Sequence, residues 1–541
     1  MWARHRLEWF TAVLAAVLGA VYLLLPPMGS DLAAQEARAG FFATHGYQPI
    51  DLRWYAGVDQ LGYSLTAQPV MALVGVRLTG ALSLLAAAAL LAVLLRRTDA
   101  PRPLLGAVVG TVCLAGNLVS GRVTYGLGVC LGLAALVALT TSRRTWLAPL
   151  LSVLAAATSP VVALFLGLVG AALLLSGLLG PGPSPPSLPR PTPVHPDPRP
   201  AARILPGLLI AVPAAVPLAL TGLLFGDGGW MNISRTDTLR AVVASLLVAA
   251  LVPRRPVRVG ALLSAAGVLA AALIHTPVGL NATRLSVMFT LPLLAAYAAF
   301  PRRTRTSSPA SSRPVWAVLI LLVAACWWQP PVVIGDLRDL GNPTADPAYF
   351  APLRDRLGQE RLTGRVEIPA TRDYWEAAHL GDVPLARGWL RQADIDRNPL
   401  FFTDIPGAKG TGVALTADSY RAWLNELAVQ FVALPDAELT WSGRPEAALI
   451  SGGLPYLTEV WSDNHWHLYA VADPRPIVPA PAVLTRQDAA TLTLDAPSAG
   501  DIPLRIRWNR WLTSTNGATV RRQGDWLLLR VPAPGRYTVT S

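Results

Sequence analysis

The residues best suited to chemistry gather in one polar stretch, 29–66, between two apolar runs near the N-terminus. It holds the acids Asp31, Glu36, Asp51 and Asp59, with His45, Arg53, Trp54 and Tyr55 among them. A carboxylate fixed at a membrane surface can take the proton of an acceptor hydroxyl or hold a metal. Burial and neighbouring charges can tune its pKa to that task. Asp31 follows the first apolar run almost immediately, with Glu36, Asp51 and Asp59 further along. On residue types alone the favoured reading of Asp31 is a helix cap, because Asp is a favoured helix N-cap and a helix is expected over 32–44.

Two arginines sit near the ends of apolar runs, Arg122 and Arg284. A charge buried in lipid costs ~2.5–3.5 kcal/mol on insertion scales. One reading is a guanidinium facing a cavity and gripping a lipid-carrier phosphate with its fork of donors. The other is a side chain snorkelling to the interface, with no ligand. A third group lies at 371–402, where Arg372, Trp375, Glu376 and Arg387 stand with Asp373, Trp389 and Arg391. Trp and Arg together suit a sugar or phosphate surface bordering a cleft, and equally a loop packed at the membrane interface. The histidines His45, His275, His379, His465 and His467 are scattered, without an HExxH or Cys/His cluster, and read as structural.

These residues must be positioned by membrane helices. Up to about residue 329, apolar runs long enough for a ~30 Å hydrocarbon core alternate with Arg-rich breaks. Eleven spans are expected, at about 8–26, 69–95, 104–120, 124–141, 145–158, 161–179, 204–225, 238–252, 259–275, 285–300 and 315–329. The apolar N-terminus resembles a signal peptide, but Pro26-Pro27 is a poor cleavage site, and an uncleaved first helix is expected. Arg4/Arg6, Arg96/Arg97/Arg102, Arg143/Arg144, Arg190/Arg199/Arg203, Arg254/Arg255/Arg258 and Arg302/Arg303/Arg305/Arg313 all fall in alternate loops. Positive charge stays inside, so the N-terminus is expected in the cytoplasm and the C-terminal region outside. The Pro-rich segment 181–203 reads as a cytoplasmic linker.

The net charge of +12 comes almost wholly from Arg, with Lys409 the single lysine. Charge spread between apolar runs is a topology signal and excludes a nucleic-acid stripe. The three cysteines all lie in apolar runs, so the C-terminal region has neither disulfides nor thiolate metal sites. That region divides into an α/β part, 330–473, and a small β module, 474–541. A strand is expected over 365–368, an amphipathic helix over 417–428 and a strand over 430–434. A hairpin over 456–472 turns near Asp463-Asn464.

An acid just past the first span, the run GYQPIDLRWYAG at 46–57 and GYSLTAQP at 62–69 together resemble the GT-C superfamily of membrane glycosyltransferases. The segment Ser120-Gly121-Arg122 with Tyr125 and Gly128, and Asn281 with Arg284 and Leu285, resemble motifs of its bacterial relatives. The resemblance implies a mainly α-helical polytopic domain over 1–329 with an extracytoplasmic α/β plus β C-terminal region, in a bacterial plasma membrane. It implies transfer of a sugar from a polyprenyl-phosphate donor to an extracytoplasmic glycan or lipid acceptor. Asp31 would be the catalytic position, Glu36, Asp51 or Asp59 a second acid, and Arg122 and Arg284 would lie on the donor phosphate. His45, Arg53, Trp54, Asn281, Arg372, Trp375, Glu376 and Arg387 would border the acceptor cleft. A divalent metal is compatible with this chemistry but not required. A transporter or lipid flippase, or a non-catalytic scaffold of the same fold, are the alternative readings. A transporter calls for polar residues within spans and two related halves, and neither is visible.

Overall fold

The computed structural model describes residues 5–179, 200–300, 315–331 and 334–541. Most of the Pro-rich linker, and Arg4, Arg190, Arg199, Arg302, Arg303, Arg305 and Arg313, lie outside the described residues. In chain order the helices of the first 330 residues are α1 (Arg6–Leu24), α2 (Leu32–His45), α3 (Ala67–Val74), α4 (Val76–Arg97), α5 (Pro103–Val119) and α6 (Val123–Leu139). Then come α7 (Leu147–Thr158), α8 (Pro160–Leu178), α9 (Pro200–Phe225), α10 (Arg235–Leu251), α11 (Arg255–Leu273), α12 (Arg284–Tyr297) and α13 (Val315–Trp328).

A helix covers each apolar run, and Gly75, at positive φ, breaks the second run into α3 and α4. Five helices are long and apolar enough to cross a membrane: α1, α4, α8, α9 and α11. Helices α5, α6, α7 and α13 are apolar but shorter. The chain is a multi-pass membrane protein. Helices thus cover the eleven expected runs, five of them of full spanning length.

The chain divides into two compact units. The membrane unit comprises residues 1–25, 77–222 and 233–334. Its helices pack α6 on α7, α10 on α11, α5 on α12 and α8 on α11. Large apolar side chains point outward, with Leu24, Leu273 and Trp327 more than four-fifths exposed, as lipid contact requires. Small residues let backbones approach. A Cβ added to Gly170 would lie 2.7 Å from the Gly207 carbonyl oxygen, so α8 and α9 touch along their backbones.

The second unit comprises residues 26–76, 223–232 and 335–541. The polar stretch 29–66 therefore belongs with the C-terminal region, a partnership its place between two spans did not suggest. It contributes the short antiparallel pair β1 (Ile50–Asp51) and β2 (Val58–Asp59). The α/β part is a four-stranded sheet in the order β3 (Arg365–Glu367), β4 (Val429–Pro435), β6 (Trp466–Val471), β5 (Leu457–Ser462). Only the β3–β4 pairing in it is parallel, and β5–β6 is the expected hairpin. The expected amphipathic helix forms over Ala417–Glu426 under a Thr416/Ser419 capping box.

The β module has two sheets. One runs β7 (Val483–Gln487), β8 (Thr491–Ala496), β13 (Gly535–Thr540), β10 (Thr513–Ser514). The other runs β9 (Gly500–Arg507), β12 (Trp526–Val531), β11 (Thr519–Gln523). Alternating inward residues such as Leu492, Leu494, Leu504, Leu527 and Val539 fill the space between them. Ile50 and Leu52 of the N-terminal stretch are part of the same core. The Leu52 N–H also donates to the Ala489 carbonyl at 2.8 Å.

Candidate functional site

Asp31 occupies the N-cap position of α2, as the cap reading expects, yet its carboxylate makes no capping hydrogen bond. The turn before it is held from outside. The Gly29 N–H donates to Asp339 Oδ2 at 3.2 Å and the Ser30 N–H to Asp336 Oδ1 at 3.1 Å. The Trp389 indole N–H donates to the Ser30 carbonyl at 3.3 Å. Gly29 itself has φ +107°, a conformation that favours glycine. Side chains from 336–389 thus fix the backbone that carries Asp31, a network visible only once the chain is folded. Asp339 is also gripped by Arg372, which reaches Glu438 at 2.6 Å. Beside them the Asp373 carboxyl is pushed up to about 9, chiefly by burial and then by its hydrogen bond to Asp339.

Four and seven residues on, helical spacing places Gln35 and Arg38 on the face that begins at Asp31. Arg38 is completely buried, and burial lowers its pKa. Its Nη1 donates to Gln60 Oε1 at 2.8 Å, and the guanidinium lies 4.3 Å from the Tyr63 ring centre. Its Nε and Nη2 have no hydrogen-bond partner among the described residues. Gln35 Nε2 donates to the Tyr63 hydroxyl at 3.0 Å. Arg38 was not a candidate from sequence. The available signal was its seven-residue spacing from Asp31 inside an otherwise Ala-rich helix.

The remaining acids of the stretch separate by environment. Asp51 is fully buried and takes both Nε and Nη2 of Arg53, at 3.0 and 2.7 Å, with Gln60 Nε2 at 2.7 Å. That pairing uses Asp51 and Arg53 as a structural clamp. Asp59 has another partner: its N–H donates to both oxygens of Asp227, at 3.1 and 3.2 Å. Asn509 Nδ2 donates to the Asp59 carboxylate at 3.2 Å, and Arg397 Nη2 to Asp227 at 2.9 Å. Burial first, and then the negative charge of Asp227, push Asp59 up to about 7. Burial likewise raises Asp227. Glu36 is half-buried on α2, and His45 ends that helix with its ring 5.1 Å from Phe41.

Several expected cleft-border residues are interior instead. Trp54 is fully buried and packs against Gly388, where an added Cβ would come within 2.7 Å of the indole. Trp375 is buried and stacks on His379, 7° from parallel. Glu376 accepts from the Thr371 hydroxyl, and burial pushes it up to about 7. Arg387 is enclosed by Asp394 (2.8 Å), Glu446 (3.0 Å) and Glu367 (3.6 Å), with Phe401 on its face. These four are buried within the second unit.

In the membrane unit the two motif arginines converge. Arg122 is the residue before α6 and Arg284 the first of α12, so each stands at a helix N-terminus. The Arg284 guanidinium lies 5.4 Å from the ring centre of Tyr125, one turn into α6. The Tyr125 hydroxyl is buried with no hydrogen-bond partner among the described residues. The Arg284 guanidinium beside this hydroxyl, at the N-terminal end of α6, suits an anion. Asn281 is half-buried in the short 3-10 turn that leads into α12.

No family model matches the chain. No curated protein matches it by sequence. Among solved structures it is similar to arabinofuranosyltransferase AftD from Mycobacteria, at 16% identity over 92% of this chain, with a TM-score of 0.44. A mutant of AftD aligns over 99% of this chain at 14% identity and a TM-score of 0.45. The chain spans only 41% and 60% of those two AftD chains. It is also similar to ArnT from Cupriavidus metallidurans, solved bound to undecaprenyl phosphate. That match has 14% identity over 86% of this chain and 99% of ArnT, with a TM-score of 0.41.

Proposed function

We propose that this chain is a GT-C-like membrane glycosyltransferase that moves a sugar from a polyprenyl-phosphate donor to an extracytoplasmic glycan or lipid acceptor. The observation that carries the reading is Asp31. The turn that leads into it, Gly29-Ser30, is anchored by Asp336, Asp339 and Trp389, and Asp31 stands at the N-cap of α2. A rigidly mounted carboxylate is what a general base needs.

In the reaction, Asp31 accepts the proton of the acceptor hydroxyl as that oxygen attacks the anomeric carbon. The bond from that carbon to the phosphate oxygen breaks, and its electron pair leaves with the polyprenyl phosphate. The leaving phosphate calls for cationic partners, a role that the donor forks of the Arg122 and Arg284 guanidinia suit. Arg38 adds a positive group on the Asp31 face of α2, two turns along. Among the described residues no three His, Cys, Asp or Glu side chains are grouped to hold a metal ion.

The test is transfer of radiolabelled sugar from a polyprenyl-phosphate donor in membranes containing the full chain. Asp31→Asn should lower the rate by ~10²–10⁴-fold, the usual contribution of a positioned base, at unchanged protein level. Transfer unchanged by this substitution would remove Asp31 as the base and the reading with it.

A further inference from the structure

We infer that the membrane unit binds one anionic phospholipid, its hydrocarbon chain within the helix bundle and its headgroup on a rim of arginines. A cavity of about 440 Å³ lies among α4, α6, α8, α10, α11 and α12. Leu94, Leu136, Leu168, Val257, Phe289 and Leu293 are among its lining side chains. Along α12 it reaches from Leu285 to Tyr297, about 18 Å of helix at 1.5 Å per residue. The volume lies within the ~300–1,000 Å³ of ligand sites. Protein interiors hold few voids larger than a water molecule, and an empty apolar one forfeits the dispersion contacts of its walls. An elongated, hydrocarbon-lined space in a lipid-embedded bundle fits a hydrocarbon chain.

The identity of the headgroup follows from what surrounds one end. Thr98, Thr140 and Tyr297 line the cavity where α4, α6 and α12 finish. Arg97 Nη1 donates to Thr140 Oγ1 at 2.9 Å. Arg254 Nη2 donates to the Thr98 carbonyl at 3.0 Å, and its guanidinium lies 6.0 Å from the Tyr297 ring centre. Arg258 follows one turn into α11, beside the lining residue Val257. Asp99 contributes one opposing charge, and the balance stays positive. A cationic rim over an apolar shaft matches an anionic lipid rather than a zwitterionic one. This end carries the Arg-rich loops, so the lipid comes from the leaflet facing them. The inference is independent of the transfer reading.

The experiment is lipid extraction and mass spectrometry on the full chain purified from native membranes, with thermal shifts on added lipid. The wild type should carry about one phosphatidylglycerol or cardiolipin per chain. Gly260→Leu projects into the cavity and should lower that content about tenfold. Arg97→Ala with Arg254→Ala should retain a lipid but shift it toward zwitterionic species. Phosphatidylglycerol should raise the Tm of the wild type more than phosphatidylcholine does. Equal shifts from the two lipids, polyprenyl phosphate as the bound species, no stoichiometric lipid, or content unchanged in Gly260→Leu would each overturn the proposal.

Discussion

At the scale of single residues, Arg38 separates function from structure most sharply. A guanidinium with two unpartnered nitrogens in a dry interior is a net cost to folding, and apolar replacements of buried charges are often neutral or stabilising. Arg38→Met is therefore expected to leave the Tm unchanged or higher while lowering transfer at least about tenfold. Calorimetry and the radiolabel assay on one preparation would show it; a fall in both would make Arg38 a structural residue. Asp59 gives a pH signature. Its folded pKa, about 7, stands above the ordinary 3.8, so the folded state holds a proton that the unfolded chain releases. The stability it contributes is full below about pH 4 and is lost as pH rises through 7. Tm should therefore fall between pH 5 and pH 8, and Asp59→Asn should flatten that slope. A slope unchanged by the substitution would place the titration elsewhere.

At the scale of elements, helix packing sets the tolerances. Gly170 and Gly207 bring the backbones of α8 and α9 together, so Gly170→Leu forces them apart. Its expected outcome is a lower Tm and loss of the monodisperse peak in detergent, whereas Gly267→Leu, with open space around it, should be tolerated. Much at this scale was legible in the sequence. Apolar runs marked every membrane helix, and period-two alternation marked the hairpin 457–471, because both patterns report a local choice between solvent and core. The break at Gly75 was missed, since one glycine in an apolar run carries little signal. The candidate site was legible in part. Asp31 and the start of α2 were found from local spacing. The burial of Asp51, Trp54, Trp375, Glu376 and Arg387 was not, because burial is invisible in residue type, and the contacts of Trp54 with Gly388 and of Arg387 with Glu446 lie far along the chain. Asp227, paired with Asp59 across 168 positions, illustrates the same gap.

At the scale of the whole molecule, the stretch 26–76 shares a core with the C-terminal region. Leu52 sits among the β-module residues, so Leu52→Ala should cost about 2–5 kcal/mol within that unit. Hydrogen exchange would show it as faster exchange in β8, β9 and β12, even though those strands are unaltered; protection unchanged there would mean that the stretch is a passenger. The same arrangement has a consequence for biosynthesis. The helix that carries Asp31 leaves the ribosome hundreds of residues before Asp336, Asp339 and Trp389, which hold its first turn. At ~5–20 residues per second, the interval is on the order of tens of seconds. Through that time the turn before the acid lacks these partners, so on the proposed function transfer waits until late-made segments return to an early one. Competence would thereby be coupled to successful translation.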